Sequence, residues 1–348
     1  MGDIFDLVRA PEWLGQAVRP YHAPSPEQAA VVLRAVEATI AAERRFFDAV
    51  RGKVAEGSVE IEYLLGNHDR LLAHAPAARA AVRRALGLRG GEDPFPTRRV
   101  FPEEGVLAYH GHSVDAVCHE PDGAAPLGDL LASELIVRFP VEIRRALGVS
   151  HPSLDDIDDV RPVLAVPAWV RSLAEGEPRH VARVVARVWR ELIEEFLENG
   201  YVKDWMRAHH RPLKLDLAQR VKLLLALSAR AKQRDEPRLT QLYYLLFRLI
   251  DVRLARAAVK ELERREHRGL QFVVNGHTHF AGMKPLGVIQ GQSACYFNTG
   301  TWRTLHQLGN VARGRPSFMA YDAAAYLVFF GKGDPLGRRF EWWQGAGG

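Results

Sequence analysis

The chain has 348 residues and a formal net charge of +5, and 47% of its residues are hydrophobic while 26% are charged. These proportions are those of an ordinary globular protein, so they exclude disordered, collagen-like and coiled-coil chains. Basic residues are concentrated between positions 161 and 268. This favours either a surface that contacts anions or a set of exposed arginine-rich helix faces.

The first 110 residues alternate between helix and strand patterns. The sequence Ser-Pro-Glu-Gln at Ser25 is typical of a capped helix start, and apolar residues then recur every three or four positions up to Gly57. The predicted elements of this part are a helix at 25–56, a strand at 60–65, a helix at 71–86 and strands at 98–101 and 106–109. This alternation predicts an α/β layer architecture.

Residues 115–268 contain few strand patterns, and we predict an all-helical insertion there. Its predicted helices are 178–199, 215–231 and 237–268. Strand patterns return at 270–274, 287–290, 294–298, 318–320 and 325–330. The prediction is therefore a discontinuous core, formed by residues 1–114 and 269–348, which the helical insertion at 115–268 interrupts.

Local features exclude several classes of protein. No run reaches the roughly 18 apolar residues that a membrane span needs, and the first residues have neither the basic nor the apolar region of a secretory signal. Asp6 occupies the position where N-myristoylation needs Ser or Thr. The two cysteines, Cys118 and Cys295, form neither a disulfide framework nor a zinc-binding spacing. We therefore predict a cytoplasmic protein.

Four segments combine Asp, Asn or His with glycine, and three of them follow predicted strands. They are residues 2–6 (Gly-Asp-Ile-Phe-Asp), 66–69 (Gly-Asn-His-Asp), 109–112 (Tyr-His-Gly-His) and 275–279 (Asn-Gly-His-Thr-His). Carboxylate, amide and imidazole groups are ligands for divalent Mn, Fe or Zn, and strand ends converge on ligand sites in open α/β sheets. Each segment alone is also typical of an ordinary turn, but the four together favour a metal site without a thiolate ligand.

In this order the segments resemble the calcineurin-like metallophosphoesterases. That family has an ordered signature of Asp-x-His, Gly-Asp-x-x-Asp, Gly-Asn-His-Asp/Glu, a His usually followed by Gly, and Gly-His-x-His. Residues 2–6, 66–69, 110–111 and 276–279 match the last four blocks. Residues 298–302 (Asn-Thr-Gly-Thr-Trp) also resemble a segment common after the last block in bacterial members. The resemblance implies an α/β fold in which a two-sheet β-sandwich is flanked by helices, and it does not cover the insertion.

The resemblance also implies a dinuclear metal centre, with manganese, iron or zinc as the ion. Asp3 would bridge the two metals, and Asn67, His110 and His277 would complete the ligands of the second one. His279 would belong to the first metal.

The same resemblance implies the catalytic roles. A metal-activated hydroxide would attack phosphorus, His68 would protonate the leaving-group oxygen, and Asp6 would orient His68. Asp69 would brace the loop, and His112 is not expected to be a ligand. The implied activity is the hydrolysis of a phosphate ester.

The Asp-x-His block of the family is missing, because the chain begins immediately before the second block. We expect a fragment or a start at an internal Met, and the alternative is a natural truncation that lost the first metal. The full-length protein would bind two metal ions, whereas this chain is expected to bind one well and a second poorly. The sheet is expected to have an unpaired edge or a gap where the missing segment would lie.

The substrate is predicted to be a phosphorylated small molecule or a lipid-linked one. The insertion follows the His110 block, and the UDP-2,3-diacylglucosamine hydrolases, one class of the family, have a helical lid in a similar place. The aromatic and apolar residues at 243–249, which lie among Arg238, Arg248, Arg253 and Arg256, would line an acyl channel or simply pack helix against helix. Peripheral membrane contact is left open, and no recognised nucleic-acid module supports a nuclease. A catalytically impaired scaffold that holds one metal is the alternative from a different class.

Overall fold

The computed structural model describes residues 2–149, 152–161, 165–210, 217–230, 252–309 and 317–347. Within these residues the α-helices are α1 (Pro26–Ala42), α2 (Arg44–Ala55), α3 (Pro76–Leu86), α4 (Leu127–Leu131), α5 (Arg138–Leu147), α6 (Pro152–Asp155), α7 (Val166–Gly176), α8 (Arg179–Glu198), α9 (Gly200–Ala208), α10 (Leu217–Arg230) and α11 (252–262). A π-helix, Ala132–Ile136, joins α4 to α5. None of the helices described here combines the length and apolar character needed to cross a membrane.

The strands form two mixed sheets, so the predicted mixed α/β class is confirmed at that level. The strands are β1 (Arg98–Phe101), β2 (Val106–Tyr109), β3 (Val160–Arg161), β4 (Phe272–Asn275), β5 (Ala281–Ile289), β6 (Gln292–Thr299), β7 (Arg303–Leu308), β8 (Phe318–Phe329) and β9 (Phe340–Gly347). The first sheet has the order β1-β2-β4-β6-β5 and the second has the order β3-β7-β8-β9. In the first sheet β2, β4 and β6 run parallel, and antiparallel strands form both edges.

The chain divides into two compact units. The first contains residues 1–129, 254–300 and 326–343, and the second contains residues 130–253, 301–325 and 344–348. All of the residues that the sequence assigns to metal binding or catalysis lie in the first unit. The predicted division into a core at 1–114 and 269–348 and an insertion at 115–268 stays a prediction about domains.

The parallel strands of the first unit are buried on both faces, as parallel strands usually are. On one face Phe272 of β4 and Phe297 of β6 pack against Phe329 of β8 and Phe340 of β9. The ring centroids of Phe297 and Phe340 are 4.9 Å apart, and those of Phe272 and Phe329 are 5.1 Å apart. This aromatic layer fixes the position of β4 and β6 and therefore of the loops that leave their carboxyl ends.

Several local predictions are confirmed. The strands at 98–101 and 106–109 have the predicted bounds, and α8 covers the predicted helix at 178–199 apart from its two flanking residues. Ser25 is the N-cap of α1, because its Oγ accepts a hydrogen bond of 3.1 Å from the backbone N–H of Gln28. Each of these features depends on residues that are close in sequence.

Other predicted elements were wrong. The single helix at 25–56 is broken at Glu43, whose φ of −101° and ψ of 30° separate α1 from α2. Residues 60–65 are assigned to no strand. Leu65 N–H donates a hydrogen bond of 2.8 Å to the Pro96 carbonyl, but a strand needs a continuous ladder with a neighbour. The predicted strands at 318–320 and 325–330 are one strand, β8.

The insertion is not all-helical within its described residues, because β3 lies in it and pairs in parallel with β7. Strands β7 and β9 were not predicted from the sequence at all. Residues 252–262 of the predicted helix at 237–268 are helical and Gly269 follows with a φ of 92°. The rest of that prediction, including the aromatic run at 243–249, lies outside the described residues.

Candidate metal centre

Two of the predicted histidine segments meet at the carboxyl ends of the parallel strands β2 and β4. His110 follows the last residue of β2, and His277 lies two positions after the end of β4, which runs parallel to β2. The backbone N–H groups of Gly276 and His277 both donate to the carbonyl of His110, at 3.0 and 3.2 Å. The ring centroids of the two histidines are 5.3 Å apart. The expectation that these strand ends converge is therefore confirmed.

Asn275, the last residue of β4, holds this junction together. Its side-chain amide donates to the carbonyl of Tyr109 at 2.7 Å and is completely buried. Gly111 has a φ of 109°, and a Cβ there would lie 3.0 Å from the Asn275 side chain. Gly111 therefore supplies both the left-handed backbone and the room that Asn275 occupies. The sequence did not reveal this role of Asn275.

The N-terminal segment is held against residues 66–69. The Asp3 carboxylate accepts a hydrogen bond of 2.8 Å from the backbone N–H of His68. In the opposite direction the Asp69 carboxylate accepts one of 2.8 Å from the backbone N–H of Ile4. The two segments are thus joined reciprocally, and Asp69 braces the loop as the sequence predicts.

Asp69 is completely buried and accepts a further hydrogen bond from the Tyr63 hydroxyl. Burial, the first cause, and the charge of Asp3 raise the pKa of Asp69 to about 6. Burial and the nearby Asp69 also raise the pKa of Tyr63 well above its usual value. Tyr63 is therefore a neutral donor, and its role is to hold Asp69.

Gly66 leaves the space that Asp3 fills. A Cβ at position 66 would lie 2.1 Å from Asp3 Oδ1, while its backbone conformation is an ordinary one. We expect Gly66→Ala to displace Asp3 and to weaken Mn²⁺ binding by about tenfold or more, which is the scale of losing an outer partner of a ligand. Calorimetric titration with Mn²⁺ measures this effect.

The matched control for this substitution is Gly52→Ala in α2, where a Cβ would meet nothing within 4 Å. Gly52→Ala should retain the metal-free melting temperature of the wild type, whereas Gly66→Ala should melt lower, because its Cβ also approaches the backbone nitrogen of Asp3 to 2.7 Å. The titrations are therefore run at a temperature at which both variants are folded. A Gly66→Ala chain that binds Mn²⁺ as tightly as the Gly52→Ala chain would contradict the prediction.

Four predicted ligands form two close pairs. Asp3 Oδ2 lies 2.8 Å from His110 Nε2, and Asn67 Oδ1 lies 3.1 Å from His277 Nδ1. All four side chains are nine-tenths buried or more. The buried Asp3 Oδ2 faces His110 Nε2. Burial raises the pKa of Asp3, but His110 and His68 outweigh it and hold that pKa well below its usual range, so this oxygen is anionic.

These pairs have the spacing of adjacent metal ligands. Two ligand atoms that bind one ion at about 2.0–2.2 Å and at right angles are about 2.8–3.1 Å apart. The anionic Asp3 oxygen and the amide oxygen of Asn67 are hard donors, and the two imidazoles are borderline donors. This donor set suits a divalent cation, but among the described residues the group of three whose potential ligand atoms all lie within 4.8 Å is Asp115, Cys118 and His277. That one ion is held by Asp3, Asn67, His110 and His277 together therefore stays a prediction.

His68 and Asp6 form the predicted carboxylate–imidazole pair. His68 Nδ1 is hydrogen-bonded to Asp6 Oδ1, and Arg9 lies 3.6 Å from the other oxygen of Asp6. Burial lowers the pKa of His68, but Asp6 and Asp3 have the larger combined effect, so this pKa is raised above its ordinary value. His68 therefore keeps its proton to a higher pH than a free histidine does.

The backbone at the predicted site is strained. Among the described residues, the non-glycine positions with positive φ are Asp3 (55°), Asp6 (47°), His279 (64°) and Gln290 (51°). Three of these are residues that the sequence assigned to metal binding or catalysis. Left-handed backbone is unfavourable for residues with a side chain and persists where the surroundings impose it, often at functional sites.

The contacts above do not include His279. Its backbone N–H lies 3.5 Å from the Gly276 carbonyl, so the segment turns sharply after His277. The structure thus brings together the four residues assigned to the second metal and the pair His68 and Asp6. The assignment of His279 to a first metal stays a prediction.

Three further residues lie near His277, and the sequence had singled out one of them, His112. The ring centroid of His112 is 6.4 Å from that of His277, and burial, followed by the two neighbouring histidines, lowers the pKa of His112 to about 3. Asp115 and Cys118 form a group with His277 whose potential ligand atoms all lie within 4.8 Å of one another. The expectation of a metal site without a thiolate ligand stays a prediction. The sequence feature that could have pointed to Asp115 and Cys118 is the run Asp-Ala-Val-Cys shortly after His110.

Cys118 is a thiol rather than a thiolate in this environment. Burial and the charges of Asp115 and Asp129 raise the pKa of Cys118 well above its usual value. The backbone N–H of Cys118 donates to the Asp115 carbonyl at 2.9 Å, so the two residues lie in one tight turn.

Comparison with known proteins finds no matching family model, no matching curated protein and no matching solved structure.

Proposed function

We propose that this chain is a metal-dependent phosphoesterase of the calcineurin-like kind, with the two-sheet sandwich fold that this implies. The observation that carries the proposal is the arrangement of two ligand pairs, Asp3 with His110 and Asn67 with His277, in the same loop system as the acid–base pair His68 and Asp6. A site that only binds a metal has no need of a buried imidazole whose proton is held by a carboxylate.

A divalent cation at these ligands supplies positive charge toward phosphoryl oxygens and makes water a better nucleophile at neutral pH. The anionic Asp3 carboxylate and the two histidines would hold the cation at the carboxyl ends of β2 and β4. The backbone N–H of His68 fixes one oxygen of Asp3, which leaves the second oxygen for the cation.

His68 is the leaving-group acid in this proposal. Its proton passes to the oxygen that departs from phosphorus, because an alkoxide leaves readily only when it is protonated. Asp6 keeps His68 protonated and fixes the orientation of its ring through Nδ1, so Nε2 is the atom that delivers the proton.

The metal content proposed for this chain is one well-held ion, manganese, iron or zinc. A second ion would rest on Asp3 and His279 alone among the predicted ligands, so we propose that it binds poorly. The substrate class is a phosphorylated small molecule, and a lipid-linked substrate is the variant in which the insertion acts as a lid.

The test is hydrolysis of nitrophenyl phosphate mono- and diesters after removal of metals with EDTA and addition of Mn²⁺. We expect activity that requires Mn²⁺ and disappears again with EDTA. Tight Mn²⁺ binding without hydrolysis of any ester would contradict the enzyme and favour the scaffold alternative. Running both ester types also separates a monoesterase from a diesterase.

The pH profile provides a further prediction. Loss of the Asp6 charge in Asp6→Asn removes a cause that raises the pKa of His68, while burial and Arg9, which lower it, remain. Because the acid form of His68 is required, activity falls as the pH rises through this pKa. The alkaline limb of kcat/KM for an alkyl phosphate should therefore move to lower pH.

Profiles measured across about pH 5–9 will show this shift. Asp48→Asn is the control, because Asp48 lies on the exposed side of α2 and pairs with Arg51. An Asp6→Asn profile that superimposes on that of the control would rule out the assigned role of Asp6.

A further inference from the structure

We propose that Asp115 is a positioning residue that places the proton of His277 on Nε2 and so turns the lone pair of Nδ1 toward the cation. The inference deepens the proposed function, on which it rests only in assigning His277 Nδ1 to a metal ion.

The geometry of His277 carries the proposal. Its Nε2 lies 3.1 Å from Asp115 Oδ2, and its Nδ1 lies 3.1 Å from Asn67 Oδ1. A neutral imidazole has one N–H and one lone pair, so the ring cannot donate to both oxygens. A carboxylate is the stronger acceptor of the two. The proton therefore belongs on Nε2, and the lone pair of Nδ1 points to the side where Asn67 lies.

Asp115 is itself fixed in this orientation. Its Oδ1 accepts a hydrogen bond of 3.0 Å from the backbone N–H of Val117, and its own N–H donates to the His112 carbonyl at 2.9 Å. Its other oxygen, Oδ2, faces His277, and the residue is more than nine-tenths buried. Histidine ligands in metal sites commonly have a carboxylate partner of this kind on the other ring nitrogen.

A different use of the same residues makes the opposite prediction. If Asp115, Cys118 and His277 bound a metal themselves, His277 Nε2 would supply its lone pair to that ion. The proton would then lie on Nδ1 and face Asn67 Oδ1. The two arrangements differ in the role of sulfur, because only the second one uses Cys118 as a ligand.

The test compares Mn²⁺ affinity, by calorimetric titration of the whole chain, in Asp115→Ala, Asp115→Asn and Asp122→Ala. Asp122 is the matched control, since its exposed carboxylate also accepts a hydrogen bond of 3.0 Å from the N–H two residues later, that of Ala124. We expect Asp115→Ala to weaken Mn²⁺ binding by about 10–100-fold. Asp115→Asn should recover part of this loss, because its amide oxygen can still accept from Nε2 but is no stronger an acceptor than Asn67. Asp122→Ala should bind like the wild type.

Three results would overturn the proposal. One is unchanged Mn²⁺ affinity in Asp115→Ala, and another is an Asp115→Asn variant that binds as weakly as Asp115→Ala. The third is a sulfur-to-metal charge-transfer band on addition of Co²⁺ that Cys118→Ala removes. If the wild type binds Mn²⁺ but hydrolyses no ester, the affinity series still tests Asp115, so the failure of the proposed function is distinguishable. Metal-free melting curves identify any variant that fails to fold.

Discussion

Replacing His68 with alanine is expected to slow the hydrolysis of an alkyl phosphate by about 10²–10⁴-fold, the usual contribution of a general acid. The hydrolysis of a nitrophenyl ester by the same variant should slow far less, because nitrophenolate departs without a proton. The reason lies in the contact between His68 and Asp6, which keeps the imidazole protonated. Steady-state kinetics on the two substrates, with saturating Mn²⁺, give both rates.

The control for His68 is His74→Ala, because His74 lies at the exposed end of the 3-10 helix Arg70–His74 that follows the site. This variant should match the wild type on both substrates. Equal losses on the alkyl and nitrophenyl esters in His68→Ala would show that His68 positions another group. An unchanged alkyl ester rate would remove His68 from the mechanism.

The second large effect is expected for Asp3→Asn, which should lose Mn²⁺ affinity by more than about 100-fold. Loss of a direct anionic ligand should exceed the 10–100-fold that an outer partner contributes. The substitution keeps the shape of the side chain and the oxygen that accepts from His68 N–H, and it removes the charge beside His110. Activity that depends on Mn²⁺ should fall with the affinity.

Asp48→Asn serves as the control here too, and metal-free melting temperatures of both variants should stay close to that of the wild type. Calorimetry and the metal content of the purified chains are the measurements. Retention of a tightly bound ion in Asp3→Asn would place the cation elsewhere, for instance at Asp115 and His277, and would require a new assignment of the site.

The parts of the fold that were predictable are those decided by nearby residues. The cap at Ser25 and the periodic apolar residues of α8 are local, and so is the run of residues in β2 that is buried throughout. The break at Glu43 was not predictable in this way, because the apolar pattern continues through it from α1 into α2. Strand β7 was missed because it is a strand only through its pairing with β3 and β8. Strand β3 is more than 100 positions away in the chain, and β8 follows a loop.

In the candidate site, too, the residues marked by local sequence were predictable and those defined by long-range contacts were not. The order of the glycine-flanked segments was sufficient to select Asp3, Asn67, His110 and His277, and their metal-binding roles stay predictions that the variants above will test. Asp115 was invisible to that reasoning, because an Asp after a histidine segment is ordinary in a turn. Its significance arises from the distance to His277, 162 positions later in the chain.

The left-handed backbone at Asp3 and Asp6 limits which exchanges these positions tolerate. Asn, Asp and Gly enter that region most easily, and branched side chains pay a steric penalty there. An alanine or valine scan of the N-terminal loop would therefore confuse local misfolding with lost chemistry. For engineering, Asn and Gly are therefore the substitutions that both positions tolerate best, and of these only Asn retains an oxygen acceptor.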